Sequence, residues 1–141
     1  MPDEGLVKHR AKWSRIFPPE EKKMRHLIAN YYGMISLIDH NVGRIMTALN
    51  EAGISQNTLV VYTADHGDWL GDHGLLLKGP ILYESLLRVG CIMKGPNIPK
   101  NRVINDPVST LDIPATFYDY ANISKPMDLN GKSLMGLMTN K

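Results

Sequence analysis

The chain has 141 residues, enough for one domain with its own core. Apolar residues make up 43% and charged residues 21%, the balance of an ordinary soluble globular protein. Lys and Arg number 16 and Asp and Glu 14, so the net charge of +2 gives no electrostatic case for nucleic acid or for an acidic membrane surface. No apolar run is long enough to span a bilayer, and Met1-Pro2-Asp3-Glu4-Gly5 lacks the basic and apolar regions of a secretion signal.

Residues 1–19 are mixed in charge and close on Pro18-Pro19. They read as an arm or linker that Trp13, Ile16 and Phe17 can anchor. A helix begins at Glu20, where Glu20 and Glu21 suit the positive end of the helix dipole. Met24, Leu27, Ile28, Tyr31, Ile35, Ile38, Val42, Ile45, Met46 and Leu49 recur at spacings of three and four, which is one helix face. Gly53 is its natural stop, giving a length of about 50 Å. Gly33 and Gly43 each weaken it by roughly 1 kcal/mol relative to alanine and mark candidate bends or close packing. Asp39, His40 and Asn41 fall on different faces, so solvated or capping roles suit them better than a metal site.

Leu59-Val60-Val61-Tyr62 is short, partly β-branched and bounded by turn residues. It reads as a strand buried on both faces, the kind found in parallel sheets. The chain then turns polar and glycine-rich. Ligands of open α/β sheets sit beyond the carboxyl ends of strands, where Asp65 and His66 stand. A carboxylate oxygen and an imidazole nitrogen are two candidate ligands for a divalent cation. Lys78 adds a positive charge a short loop later. A cation and a lysine converging on one pocket suit an anionic substrate such as a sulfate or phosphate ester. The plain alternative is a turn cap, a solvated histidine and a surface lysine. The strand end and the glycines Gly67, Gly71, Gly74 and Gly79 favour a site, because they let backbone approach a ligand. Asp72 and His73 either hold this loop or contact substrate. Trp69 either lines a pocket or packs beneath the loop.

Residues 80–87 read as a short helix, and Val89 to Met93 as a second strand. The one cysteine, Cys91, rules out an intrachain disulfide and reads as a buried structural thiol. Residues 94–100 form a loop, and Arg102 to Val108 return to the sheet. Asp112 is a candidate N-cap with Pro114 in the first turn. Leu111, Ala115, Phe117, Tyr118 and Ala121 supply that helix's apolar contacts. Leu134, Leu137 and Met138 make an amphipathic tail.

Asp65-His66-Gly67, Leu70-Gly71-Asp72-His73-Gly74-Leu75, Lys78-Gly79, Tyr83-Glu84 and Arg88-Val89, in this order, closely resemble the sulfatase family of the alkaline-phosphatase-like superfamily. Val108-Ser109-Thr110-Leu111-Asp112-Ile113-Pro114-Ala115-Thr116 resembles its strand-to-helix segment. Asn130-Gly131-Lys132-Ser133-Leu134 resembles its Asp-Gly-Arg/Lys-Ser-Leu segment. Tyr31-Tyr32 and Asp39-His40-Asn41-Val42-Gly43-Arg44 resemble its long helix. The similarity runs from roughly residue 25 to the C-terminus. Gly90 departs from the proline usual after Arg-Val.

The resemblance implies an α/β fold: a partial alkaline-phosphatase-like (sulfatase) sheet of mainly parallel strands flanked by helices, with one long N-terminal helix. Residues 20–141 would be the C-terminal portion of a catalytic domain. It implies hydrolysis of sulfate esters by a formylglycine held on a divalent cation, usually Ca2+, with Mn2+ as the alternative. By position, Asp65 and His66 resemble the second pair of metal ligands. Many members have asparagine in place of His66, and histidine occurs in others, including phosphonate and phosphodiester hydrolases. Lys78 resembles the lysine that contacts the sulfate and stabilises the leaving oxygen, and His73 is a further candidate substrate contact. Cys91-Ile92-Met93-Lys94-Gly95 does not match the Cys-x-Pro/Ala-x-Arg formylglycine motif. That motif and the first acidic metal pair are expected upstream, so the chain is expected to be a fragment, inactive alone. The implied partner of the full-length enzyme is a sulfated small molecule or glycan, with no nucleic acid and no membrane. A sheet without its first strands has an exposed edge through which copies can associate. The alternatives are a phosphonate monoester or phosphodiester hydrolase fragment of the same superfamily, and a non-catalytic binding module.

Overall fold

The computed structural model describes residues 20–139 together with Glu4 and Lys8. The arm expected over 1–19, with Trp13, Ile16 and Phe17, otherwise lies outside the described residues. Helix α1 is Glu21–Glu51, strand β1 Val60–Thr63, helix α2 Glu84–Leu87, strand β2 Cys91–Lys94, helix α3 Asp112–Tyr120 and helix α4 Met135–Thr139. Single 3-10 turns lie at Ser55–Asn57 and Asp72–Gly74. β1 and β2 pair as a two-stranded sheet. The fold is thus α/β with one long helix. Contacts group the chain into two compact units, one of Met1–Ser55 with Tyr62–Cys91 and one of Gln56–Val61 with Ile92–Lys141.

In the first unit α1 runs unbroken for 31 residues, about 46 Å. Glu21 lies in its first turn and pairs with Arg25 one turn on, Oε1 to Nη2 at 2.7 Å. Its end is a Schellman motif: Ile54 N–H donates to the Leu49 carbonyl and Gly53 N–H to that of Asn50. Gly53 takes φ +70°, which glycine adopts without a Cβ penalty. Gly33 and Gly43 face open space, so neither is a close-packing point. Met24, Leu27, Ile28, Tyr31, Val42, Met46 and Leu49 are half-buried, while Ile35, Ile38 and Ile45 of the same stripe are exposed. Asp39 and His40 are exposed, and Asn41 bonds back to the Leu37 carbonyl.

The core of this unit is small: Trp69, Leu75 and Leu86, with Ile81 and Tyr83 packed against it. The helix expected over 80–87 is only α2, one turn. Tyr83 stays extended because the 81–83 segment covers that core instead of coiling. Strand β1 forms one residue later than expected and is not buried on both faces: Val60 and Val61 are half-buried, Tyr62 and Thr63 exposed. Cys91 is likewise exposed rather than buried, and Ile92 beside it is 65% exposed.

In the second unit α3 begins at Asp112 with Pro114 in its first turn, but Leu111 and not Asp112 is the N-cap, and it makes no side-chain cap bond. The Asp112 carboxylate, however, accepts from the backbone N–H of Ser109 and of Lys132, both at 2.8 Å, and so joins two loops. Of the expected contacts Ala115 is buried and Tyr118 half-buried, Leu111, Phe117 and Ala121 are exposed, and α3 also buries Thr116. Thr116 Oγ1 donates to the Asp112 carbonyl at 2.7 Å and accepts from Leu134 N–H at 2.9 Å. That bond seats Leu134 and Met138, the buried side of the tail. Residues 102–108 form no strand: Asn101 takes φ +58°, Val103 is 80% exposed, and Pro107 cannot donate to a ladder.

Candidate functional site

The site is built on the loop that follows β1. Past Thr63 the chain crosses Asp65 and His66 and is pinned at Gly67, whose N–H donates to the Leu86 carbonyl at 2.8 Å. A methyl group on Gly67 would stand 2.0 Å from the Ser85 carbonyl oxygen, so only glycine lets these backbones meet. The loop then folds on itself. Trp69 N–H donates to the Leu77 carbonyl at 3.0 Å and Gly71 N–H to that of Leu75 at 2.8 Å. Leu70, His73 and Leu77 take φ of +42°, +50° and +63°, left-handed values that side chains disfavour. Such strain is held only where surroundings over-determine it, and it gathers at functional sites. Here the surroundings are the buried Trp69 and Leu75 below the loop, the Met24 methyl against Gly71, and two clamps from the α2 side. Ser85 Oγ donates to Asp72 Oδ2 at 2.7 Å, and the Tyr83 ring stacks on His73 with centroids 3.8 Å apart.

Trp69 therefore packs beneath the loop, 1% exposed. Asp72 and His73 are engaged by Ser85 and Tyr83. Ser85 gave no signal in the sequence, because its partner is 13 residues away and no periodicity links them.

Asp65, His66 and Lys78 are brought together. The His66 Nδ1 lies 2.8 Å from the Gly67 carbonyl oxygen, which can only accept, so the proton is on Nδ1. Nε2 then carries the lone pair and accepts from the Lys78 ammonium at 2.7 Å. Asp65 Oδ2 is 3.5 Å from the same Nε2. The Asp65 side chain is 85% exposed, open to a ligand. Its pKa is held below the ordinary carboxylate value, first by the His66 backbone N–H, which donates to Oδ1 at 3.0 Å, then by the adjacent His66 ring, with Lys78 the smallest contribution. The carboxylate is ionised at neutral pH.

These donors fit a divalent cation. Asp65 offers an anionic oxygen, and His66 a neutral imidazole whose other N–H is anchored on a carbonyl, the usual support of a ligating histidine. They are two donors only. Among the described residues, no group of three or more His, Cys, Asp and Glu side chains is placed to hold a metal.

Residues 8–123 match the Sulfatase family model. The chain belongs to the sulfatase family. It is 38% identical over 128 residues to an arylsulfatase of Clostridium perfringens, covering 86% of this chain and 26% of that one. Against arylsulfatase K of Mus musculus the identity is 36% over 120 residues, 85% of this chain and 22% of the other. Among solved structures, the phosphonate monoester hydrolase SpPMH from Silicibacter pomeroyi superimposes with a TM-score of 0.82 at 30% identity, over 86% of this chain and 24% of that one. The chain thus spans about a quarter of the length of the curated relatives it matches.

Proposed function

We propose that this chain is one wall of a sulfatase active site, with Asp65 and His66 as one pair of ligands to a divalent cation and Lys78 as a cation facing the substrate. The substrate class is a sulfate ester of a small molecule or glycan. The observation that carries this reading is the meeting of three groups beside β1: His66 Nε2 lies 2.7 Å from Lys78 Nζ and 3.5 Å from Asp65 Oδ2. Bound there, Ca2+ (or Mn2+) would supply Lewis acidity toward the sulfate oxygens.

The chain's own residues do the rest. The ionised Asp65 carboxylate and the fixed His66 tautomer present two donors from adjacent positions. Lys78 places a compact point charge where an ester oxygen gains negative charge as its bond to sulfur breaks. His73 is the further candidate contact, on the same loop. We assign the nucleophile to a formylglycine outside this chain, and we place β1 in the mainly parallel sheet of the alkaline-phosphatase-like fold. With two ligands and no nucleophile, the chain alone does not turn over substrate.

The test is to join this chain behind the remaining N-terminal part of the Clostridium perfringens arylsulfatase and assay an aryl sulfate. Turnover in the fusion should fall about 100-fold or more on Lys78→Ala, and the chain alone should show none. Sustained, Lys78-dependent hydrolysis by the chain alone would overturn the reading. A second reading, phosphonate monoester hydrolysis, draws on the SpPMH likeness and on histidine at position 66. The ratio of kcat/KM for an aryl sulfate to that for a phenylphosphonate monoester, measured on the same fusion, decides between them.

A further inference from the structure

The lone pair that His66 offers to a cation is already in use. Nδ1 is bonded to the Gly67 carbonyl, and the remaining nitrogen, Nε2, accepts from Lys78 at 2.7 Å. One lone pair cannot serve both an ammonium and a metal ion. Resting on the metal reading above, we infer that Lys78 is a placeholder on His66: it occupies Nε2 in the metal-free chain and releases it when a divalent cation binds.

Three features make the exchange local. The Nδ1 bond to Gly67 keeps the imidazole from rotating, so Nε2 faces the same way before and after. The backbone at Leu77 is fixed by its left-handed φ of +63° and by the Trp69 N–H on its carbonyl, so only the Lys78 side chain has to move. Lys78 is exposed, so it gives up its bond without leaving a buried charge behind. A bound dication would compensate the Asp65 carboxylate directly and repel the ammonium. Lys78 is then freed by the event that prepares the site for an anion. The lysine opposes metal binding and in return is unoccupied when substrate arrives.

The experiment titrates the full chain with Mn2+ alone and follows paramagnetic broadening of the His66 ring signals. Lys78→Met, which removes the competing donor and its charge, should bind Mn2+ about fivefold tighter, the equivalent of one exposed charge-assisted hydrogen bond. Asp65→Asn should weaken binding in both backgrounds. In the unmutated chain, Ca2+ alone (diamagnetic) should shift the Lys78 Cε resonance with the same midpoint as His66. Asp65-dependent binding that is equal or weaker in Lys78→Met, or a Lys78 signal that ignores Ca2+, overturns the placeholder and leaves the metal pair standing. Binding in neither protein, or binding indifferent to Asp65→Asn, overturns both.

Discussion

Gly67→Ala should cost more than any other single methyl group added to the site loop. The new Cβ would stand 2.0 Å from the Ser85 carbonyl oxygen, 3.0 Å from its carbon and 3.3 Å from Leu86 Cα. All three are backbone atoms, so no side chain can swing aside. The loop must withdraw from α2, and the 2.8 Å bond from Gly67 N–H to the Leu86 carbonyl breaks with it. Overpacking of this kind costs about 1–3 kcal/mol and the bond about 1 kcal/mol. The sum, about 2–4 kcal/mol, is a large part of the roughly 5–15 kcal/mol that usually holds a domain folded. Trp69 lies two residues on, 1% exposed, and reports the event. In a Trp13→Phe background it is the sole remaining tryptophan of the two in the chain. Urea unfolding followed by its fluorescence should show the midpoint fall with the slope unchanged. The His66 ring, which leans on the Gly67 carbonyl, should lose its fixed Nδ1–H tautomer in nitrogen NMR. A stability change under about 0.5 kcal/mol, with the tautomer kept, would refute the close-approach reasoning.

Two further outcomes concern the second unit. Thr116→Val removes the acceptor for the Leu134 N–H, leaving a buried donor without a partner at a cost of about 1–3 kcal/mol, whereas Thr116→Ser keeps the hydroxyl and should lose about 1 kcal/mol for the methyl; urea unfolding separates the two. Asp112 is held below its ordinary value of 3.8 first by the Lys132 N–H and then by the Ser109 N–H. Because the folded value is the depressed one, its contribution is fully present above 3.8 and is lost as pH falls through that lower value. Asp112→Asn should therefore be less stable than the parent at neutral pH, and the gap should narrow in acid; a gap independent of pH would count against it. Asp65 bends the same acid limb, so the reading is taken from the difference between the two proteins.

The long helix was fully legible, because a period of three and four over ten apolar positions and a glycine stop depend on neighbours in the chain alone. The two strands lie within one or two residues of where they were expected, whereas residues 102–108 form no strand and the helix over 80–87 shrinks to one turn. Burial failed as well. Leu59-Val60-Val61-Tyr62 and Val89-Gly90-Cys91-Ile92-Met93 are apolar enough to be covered on both faces, but composition states only a tendency to be covered, not what covers it. Tyr62 and Cys91 are exposed for that reason. In the candidate site, Asp65 and His66 were legible as neighbours at a strand end. Lys78, 12 residues later, was placed with them by its charge a short loop on and by resemblance to a family, not by any periodicity. The loop that makes them meet has no periodic signature. Its left-handed residues include Leu70 and Leu77, types that carry no turn signal.

That strained loop also explains where the first unit's core lies among the described residues. Three non-glycine residues at positive φ cost about 1–2 kcal/mol each, roughly 3–6 kcal/mol together. Burying Trp69, Leu75 and Leu86 returns about 1.5–3 kcal/mol for each large side chain, roughly 5–9 kcal/mol in all. The two sums are of one size. The fully buried apolar residues of this unit thus lie at the bend that carries Lys78 back to His66, while those of α1 are at most half-buried. It follows that Trp69, Leu75 and Leu86, which lie beneath the loop, set the position of the ammonium as firmly as the lysine stem does. Shrinking Leu75 should loosen the contact between Lys78 and His66 before it unfolds anything else.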